Sequence, residues 1–69
     1  MEKTTIQADV FGHTYQGLQT VTGTRKRYQE VAYEGRTKPD SYCYRPDETD
    51  YMNEVAKHLL IELVRESIE

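Results

Sequence analysis

The sequence predicts an α+β domain: a three- or four-stranded antiparallel β-meander packed by one C-terminal amphipathic α-helix. Three observations carry this. From Asp50 to Ile68 the apolar residues recur with the 3.6-residue period of a helix. From Thr4 to Phe11 they alternate with the two-residue period of a half-buried strand. Between these segments the chain is rich in Thr, Tyr and Val, broken by Gly-containing turns, and shows no second helical pattern. At 69 residues the chain makes one small domain, residues 1–69.

Met1 to Lys3 reads as a tail. The first strand is expected over about 4–11, with Ile6, Ala8 and Val10 on one face and Thr5, Gln7 and Asp9 on the other. Gly12-His13 reads as a tight turn. The second strand is expected over 14–21, where Gly17 suggests a bulge or a close backbone approach. Thr22 to Lys26 is the next turn, with Gly23 as its left-handed residue. The third strand is expected over 27–34, placing Gln29, Val31 and Tyr33 opposite Tyr28, Glu30 and Ala32. Gly35 to Ser41 reads as a loop, and Tyr42-Cys43-Tyr44 as a short fourth strand or a lead into the helix.

The helix is expected over about 48–68. Its stripe is Met52, Val55, Ala56, Leu59, Leu60, Leu63, Val64 and Ile68, with Ile61 off the stripe. Its polar face carries Asn53, Glu54, Lys57, Glu62, Arg65, Glu66 and Glu69. Pro46 suits the first turn, and Asp47, Thr49 and Asp50 supply caps and negative charge at the positive end of the dipole. Strands of six or seven residues reach about 20 Å and nineteen helical residues about 28 Å, so the helix is expected to outrun the sheet. Leu63, Val64 and Ile68 are then the expected dimer contact.

Composition limits the function classes. A domain this small buries about 60% of its unfolded surface, so its margin is thin. One cysteine, Cys43, allows no internal disulfide, and no Cys/His cluster suggests a metal cage. The lone cysteine and the lack of an apolar N-terminal stretch point to a reducing, cytoplasmic setting. No apolar run approaches a membrane span, and the acidic helix, with six acidic and two basic residues from Glu48 to Glu69, does not suit anionic lipid. His13 and His58 have no spacing that joins them to Cys43, and no phosphate-loop, dinucleotide or metal motif is present. The expectation is a non-enzymatic chain with no cofactor and no metal.

Two binding classes remain. Arg25, Lys26 and Arg27 stand at a hairpin tip beside Tyr28, with Arg36 and Lys38 in the next loop. A basic hairpin with an aromatic neighbour can follow a phosphate backbone, but the net charge of −3 has the wrong sign for it. Six tyrosines and no tryptophan favour contact with another protein. The candidate partner-binding residues are Tyr15, Arg25, Lys26, Arg27, Tyr28 and Tyr33. Protein–protein contact is the leading expectation, in the manner of small inhibitors or modulators made by phages and mobile elements. A nucleic-acid-binding domain built on the Arg25–Arg27 hairpin is the alternative, and a homodimer the expected assembly.

Overall fold

A computed structural model describes residues 1–68; Glu69, read above as part of the polar face, lies outside them. Four antiparallel strands form one open sheet in the order β1-β2-β3-β4: β1 (Glu2–Val10), β2 (His13–Thr22), β3 (Tyr28–Tyr33) and β4 (Arg36–Pro39). A short 3-10 turn (Pro46–Glu48) leads into α1 (Thr49–Ile68), which packs on one face. The fold is the α+β meander with a C-terminal helix that the patterning predicts.

The first turn corrects the sequence reading by one residue. Val10 pairs with His13, so the turn is Phe11-Gly12. Both have positive φ, 52° and 79°, as a two-residue type I′ hairpin requires. The pattern repeats at Glu34-Gly35, with φ of 47° and 79°, where Tyr33 pairs with Arg36. This second hairpin turns the expected loop at 35–41 into β4. Tyr42 to Tyr44 does not form a regular strand; Tyr44 makes a single bridge with Arg27, exchanging hydrogen bonds of 2.9 and 2.8 Å.

The strand faces follow the alternation. Ala8, Val10, Val21 and Val31 turn toward the helix and are buried, against Met52, Ala56, Leu60, Leu63 and Val64. Gly17 marks a close approach and no bulge, since the β1–β2 register runs unbroken through it. A Cβ there would lie 2.6 Å from Leu60 Cδ1 and 2.9 Å from the Ala32 carbonyl oxygen. Leu60 is fully buried and Leu59 only partly.

The helix does not outrun the sheet. Strands β1 and β2 have nine and ten residues, which reach about 30 Å, the length of a twenty-residue helix. Leu63 and Val64 are therefore buried under this chain's own sheet, and only Ile68, half exposed, remains outside. The uncovered apolar patch expected at Leu63, Val64 and Ile68 is absent among the described residues. Asn53, Lys57 and Ile61 face the β1 side of the helix. Glu62 and Glu66 face β4, where both meet Lys38 Nζ at 3.2 Å.

Candidate functional site

The residues proposed from sequence do not form one site. Tyr15 and Tyr33 lie on the helix side of the sheet, partly buried, with their rings edge-to-face at 6.2 Å. Tyr28 lies on the outer face, 48% exposed. The neighbouring Cys43 side chain raises the Tyr28 hydroxyl above its ordinary pKa.

The basic residues are also divided. Arg25 and Lys26 are exposed in the β2–β3 loop. Arg27 is held inward: its guanidinium donates to Thr49 Oγ1 at 3.1 Å and pairs with Glu2 at 3.3 Å. Lys38 is occupied by Glu62 and Glu66, which raise its pKa. Arg36 follows the β3–β4 turn, at the opposite end of β3 from Arg25 and Lys26. The five cations that adjoin in sequence thus make two separated groups, and two of the five are already paired.

What the fold does assemble is an aromatic cluster between the β4–α1 segment and the start of the helix. Tyr42 and Tyr51 are 46% and 54% exposed, and both rings rest on the buried Tyr44. Ring centroids are 4.6 Å apart for Tyr42–Tyr44, 5.8 Å for Tyr44–Tyr51 and 6.1 Å for Tyr42–Tyr51. Such tilted and edge-on pairs are worth about 0.5–1.5 kcal/mol each beyond burial. The rim of the cluster is Glu48, with Arg45 paired to it at 3.7 Å; Asp47 and Asp50 adjoin it in the chain.

A polar network fixes this cluster from below. Gln19 Nε2 donates to Gln29 Oε1 at 2.8 Å and to Asn53 Oδ1 at 3.2 Å. Gln29 Nε2 donates to Asp40 Oδ2 and to the Met52 carbonyl, both at 3.0 Å. The Tyr44 hydroxyl donates to the same Asp40 oxygen, and the Tyr42 N–H to Asp40 Oδ1 at 3.0 Å. Burial opposes ionisation of Asp40, but these donors outweigh it and hold the carboxyl below its ordinary pKa. Burial and the Asp40 carboxylate together push the Tyr44 hydroxyl well above its ordinary value. No buried side-chain polar atom among the described residues lacks a partner, so the network is complete.

The rim is ordered as well. Glu48 accepts the Arg45 N–H at 2.9 Å, closing the turn before α1, and accepts the Tyr42 hydroxyl at 3.3 Å. The backbone bond from Arg45 is the main reason its carboxyl titrates below the usual range. The Glu48 charge in turn raises the Tyr42 hydroxyl.

Sequence reading missed Tyr42 and Tyr51. Tyr51 falls off the apolar stripe, and an aromatic on the polar face of a helix start was the available signal. A third missed residue is Phe11, 74% exposed at a turn tip where Asn, Asp or Gly is usual. His13 and His58 are exposed and Cys43 partly so, and no group of three His, Cys, Asp or Glu among the described residues is placed to hold a metal ion. No helix among them is long and apolar enough to cross a membrane.

Fold and surface together define a small open-sheet α+β domain with a hydrogen-bonded tyrosine surface edged by Glu48. Comparison with protein-family models, curated proteins and solved structures finds no match for this chain.

Proposed function

We propose that this chain is a small, non-enzymatic, cytoplasmic binding protein that modulates another protein by occupying its surface through Tyr42 and Tyr51. The observation that carries the reading is their exposure on a buried, hydrogen-bonded support. Each ring rests on buried Tyr44, which is tied by its backbone to Arg27 and by its hydroxyl to Asp40. Pre-ordered tyrosines lose little conformational entropy on contact and are enriched among the residues that dominate binding energy. Glu48 and its chain neighbours Asp47 and Asp50 outnumber the single Arg45 and favour a basic partner surface, where Arg or Lys can lie over the rings. An inhibitor of the sort found in phages and mobile elements fits this size and simplicity by analogy alone.

The test is capture from the native cell on tagged protein, with and without nuclease. A nuclease-resistant partner should bind the native chain and be lost from the double variant Tyr42→Ala, Tyr51→Ala, whose fold is checked by circular dichroism. A partner that survives this substitution, or that disappears on nuclease treatment, removes the reading. The second outcome would favour nucleic-acid contact through Arg25 and Lys26, the two hairpin cations with no ion pair among the described residues.

A further inference from the structure

The two edges of the sheet are treated differently. Edge strands expose unpaired N–H and C=O groups, and proteins usually blunt them with short strands, proline or inward-pointing charge. Strand β4 has all three: four residues, Pro39 at its end, and Lys38 turned under the helix to Glu62 and Glu66. Strand β1 is neither short nor broken by proline, and its one charge on the helix face, Glu2, stands at its first residue, paired with Arg27. It runs nine residues without Pro, Gly or bulge, and a cleft of about 1010 Å³ opens between it and α1. Ile6 and Ile61, both partly buried, line that cleft. Ile61 is the aliphatic residue that the helix's own stripe does not use.

The pairing of Val10 with His13 around a two-residue turn sets which backbone groups are free. These two residues form the closing hydrogen-bonded pair. Alternation then turns the N–H and C=O of Lys3, Thr5, Gln7 and Asp9 to the open edge. A second copy of β1, added antiparallel about a two-fold axis, can use all four residues in one register. That register is centred on Ile6. It sets Lys3 opposite Asp9 of the other copy, Thr5 opposite Gln7, and Ile6 opposite itself. Shifting the axis to Thr5 or to Gln7 leaves one of the four unmatched and separates Lys3 from Asp9. The register that makes the most hydrogen bonds, about eight, is thus the one in which the only two charges on the outer face of β1 meet with opposite sign. Asp9 Oδ1 accepts Thr14 Oγ1 at 2.7 Å, leaving Oδ2 for the lysine. On the other face the two Ile6 side chains form a close non-hydrogen-bonded pair in the cleft, beside Ile61 of each copy.

We infer that β1 is a self-association edge: two chains join their sheets through β1 in the register centred on Ile6, giving a continuous eight-stranded sheet with both helices on one face. The inference is independent of the tyrosine surface, and its contact is not the helix end expected from sequence.

The experiment is sedimentation equilibrium of the full chain from about 1 μM to about 1 mM, with three variants. The native chain should pass from monomer to dimer. Thr5→Pro removes an N–H that points to the open edge, so the monomer keeps its ladder while the dimer loses a central bond; it should stay monomeric with an unchanged circular dichroism spectrum. Lys3→Glu should weaken the dimer roughly tenfold, counting both symmetric pairs, and Lys3→Glu with Asp9→Lys should restore it. A native chain that is monomeric throughout overturns the inference, as does a dimer that ignores Thr5→Pro in a folded variant. Should Thr5→Pro fail to fold, the charge pair decides: weakening with rescue supports the register, and weakening without rescue, or no weakening, overturns it.

Discussion

Gly17 lies so close under Leu60 that a methyl group on its Cα would stand 2.6 Å from Leu60 Cδ1, with the Ala32 carbonyl oxygen 2.9 Å away on the other side. The helix reaches the sheet at this point because β2 has no side chain there. Gly17→Ala should therefore cost about 1–3 kcal/mol through overpacking. Leu60→Ala, which empties a fully buried site, should cost about 2–5 kcal/mol. Chemical denaturation of the double variant should show less than the sum, because removing the leucine side chain relieves the clash with it. Strict additivity would mean that the Ala32 carbonyl alone sets the cost at Gly17.

Stability should fall at both ends of the pH range through the Asp40–Tyr44 pair. Tyr44 has a raised pKa in the fold. Its contribution is complete below the ordinary tyrosine value of about 10 and is lost as pH rises above it, because the unfolded chain releases the proton first. Asp40 has a lowered pKa, so its contribution is complete above the ordinary value of 3.8 and is lost as pH falls below it. Urea denaturation at a series of pH values should show both slopes. Tyr44→Phe should cost about 1–3 kcal/mol near neutrality by leaving buried acceptors short of a donor. It should also flatten the alkaline slope, leaving the shares due to Lys38, Tyr28, Tyr33 and Tyr42, whose pKa values the fold also raises.

Arg25 and Arg27 should respond very differently to charge reversal. Arg27→Glu removes the donor to Thr49 and sets like charges beside Glu2, and should cost about 1–3 kcal/mol. Arg25→Glu, on an exposed loop, should stay within about 0.5 kcal/mol of the native chain. A nucleic-acid assay that reverses Arg27 would confuse unfolding with lost binding, so the informative pair is Arg25→Glu with Lys26→Glu.

Phe11→Asn should raise stability by roughly 1 kcal/mol, since asparagine tolerates the positive φ that phenylalanine resists. Thermal melts monitored by circular dichroism would show this as a higher midpoint. A lower midpoint would mean that the exposed ring makes a contact that stabilises the hairpin.

The sequence by itself determined the α+β class, the start of the helix, the apolar face of β1, the alternation of β3, and the left-handed Gly23. These are properties of local period and backbone freedom. A buried stripe recurs every 3.6 residues, a strand face every two, and a glycine tolerates positive φ wherever it stands. Tertiary structure alone decided the rest. Whether Leu63 and Val64 are covered depends on the length of strands whose ends were set by Phe11-Gly12 and Glu34-Gly35, turns that place a non-glycine residue at positive φ and so read weakly in the chain. Whether Arg27 and Lys38 are free depends on the acidic residues that fold beside them, Glu2, Glu62 and Glu66. The tyrosine surface is the clearest case. Tyr42, Tyr44 and Tyr51 meet because the Arg27–Tyr44 bridge and the Asp40 network bend the segment after β4 back onto the start of α1. That is a long-range hydrogen-bonding event with no periodic trace in the residues it joins.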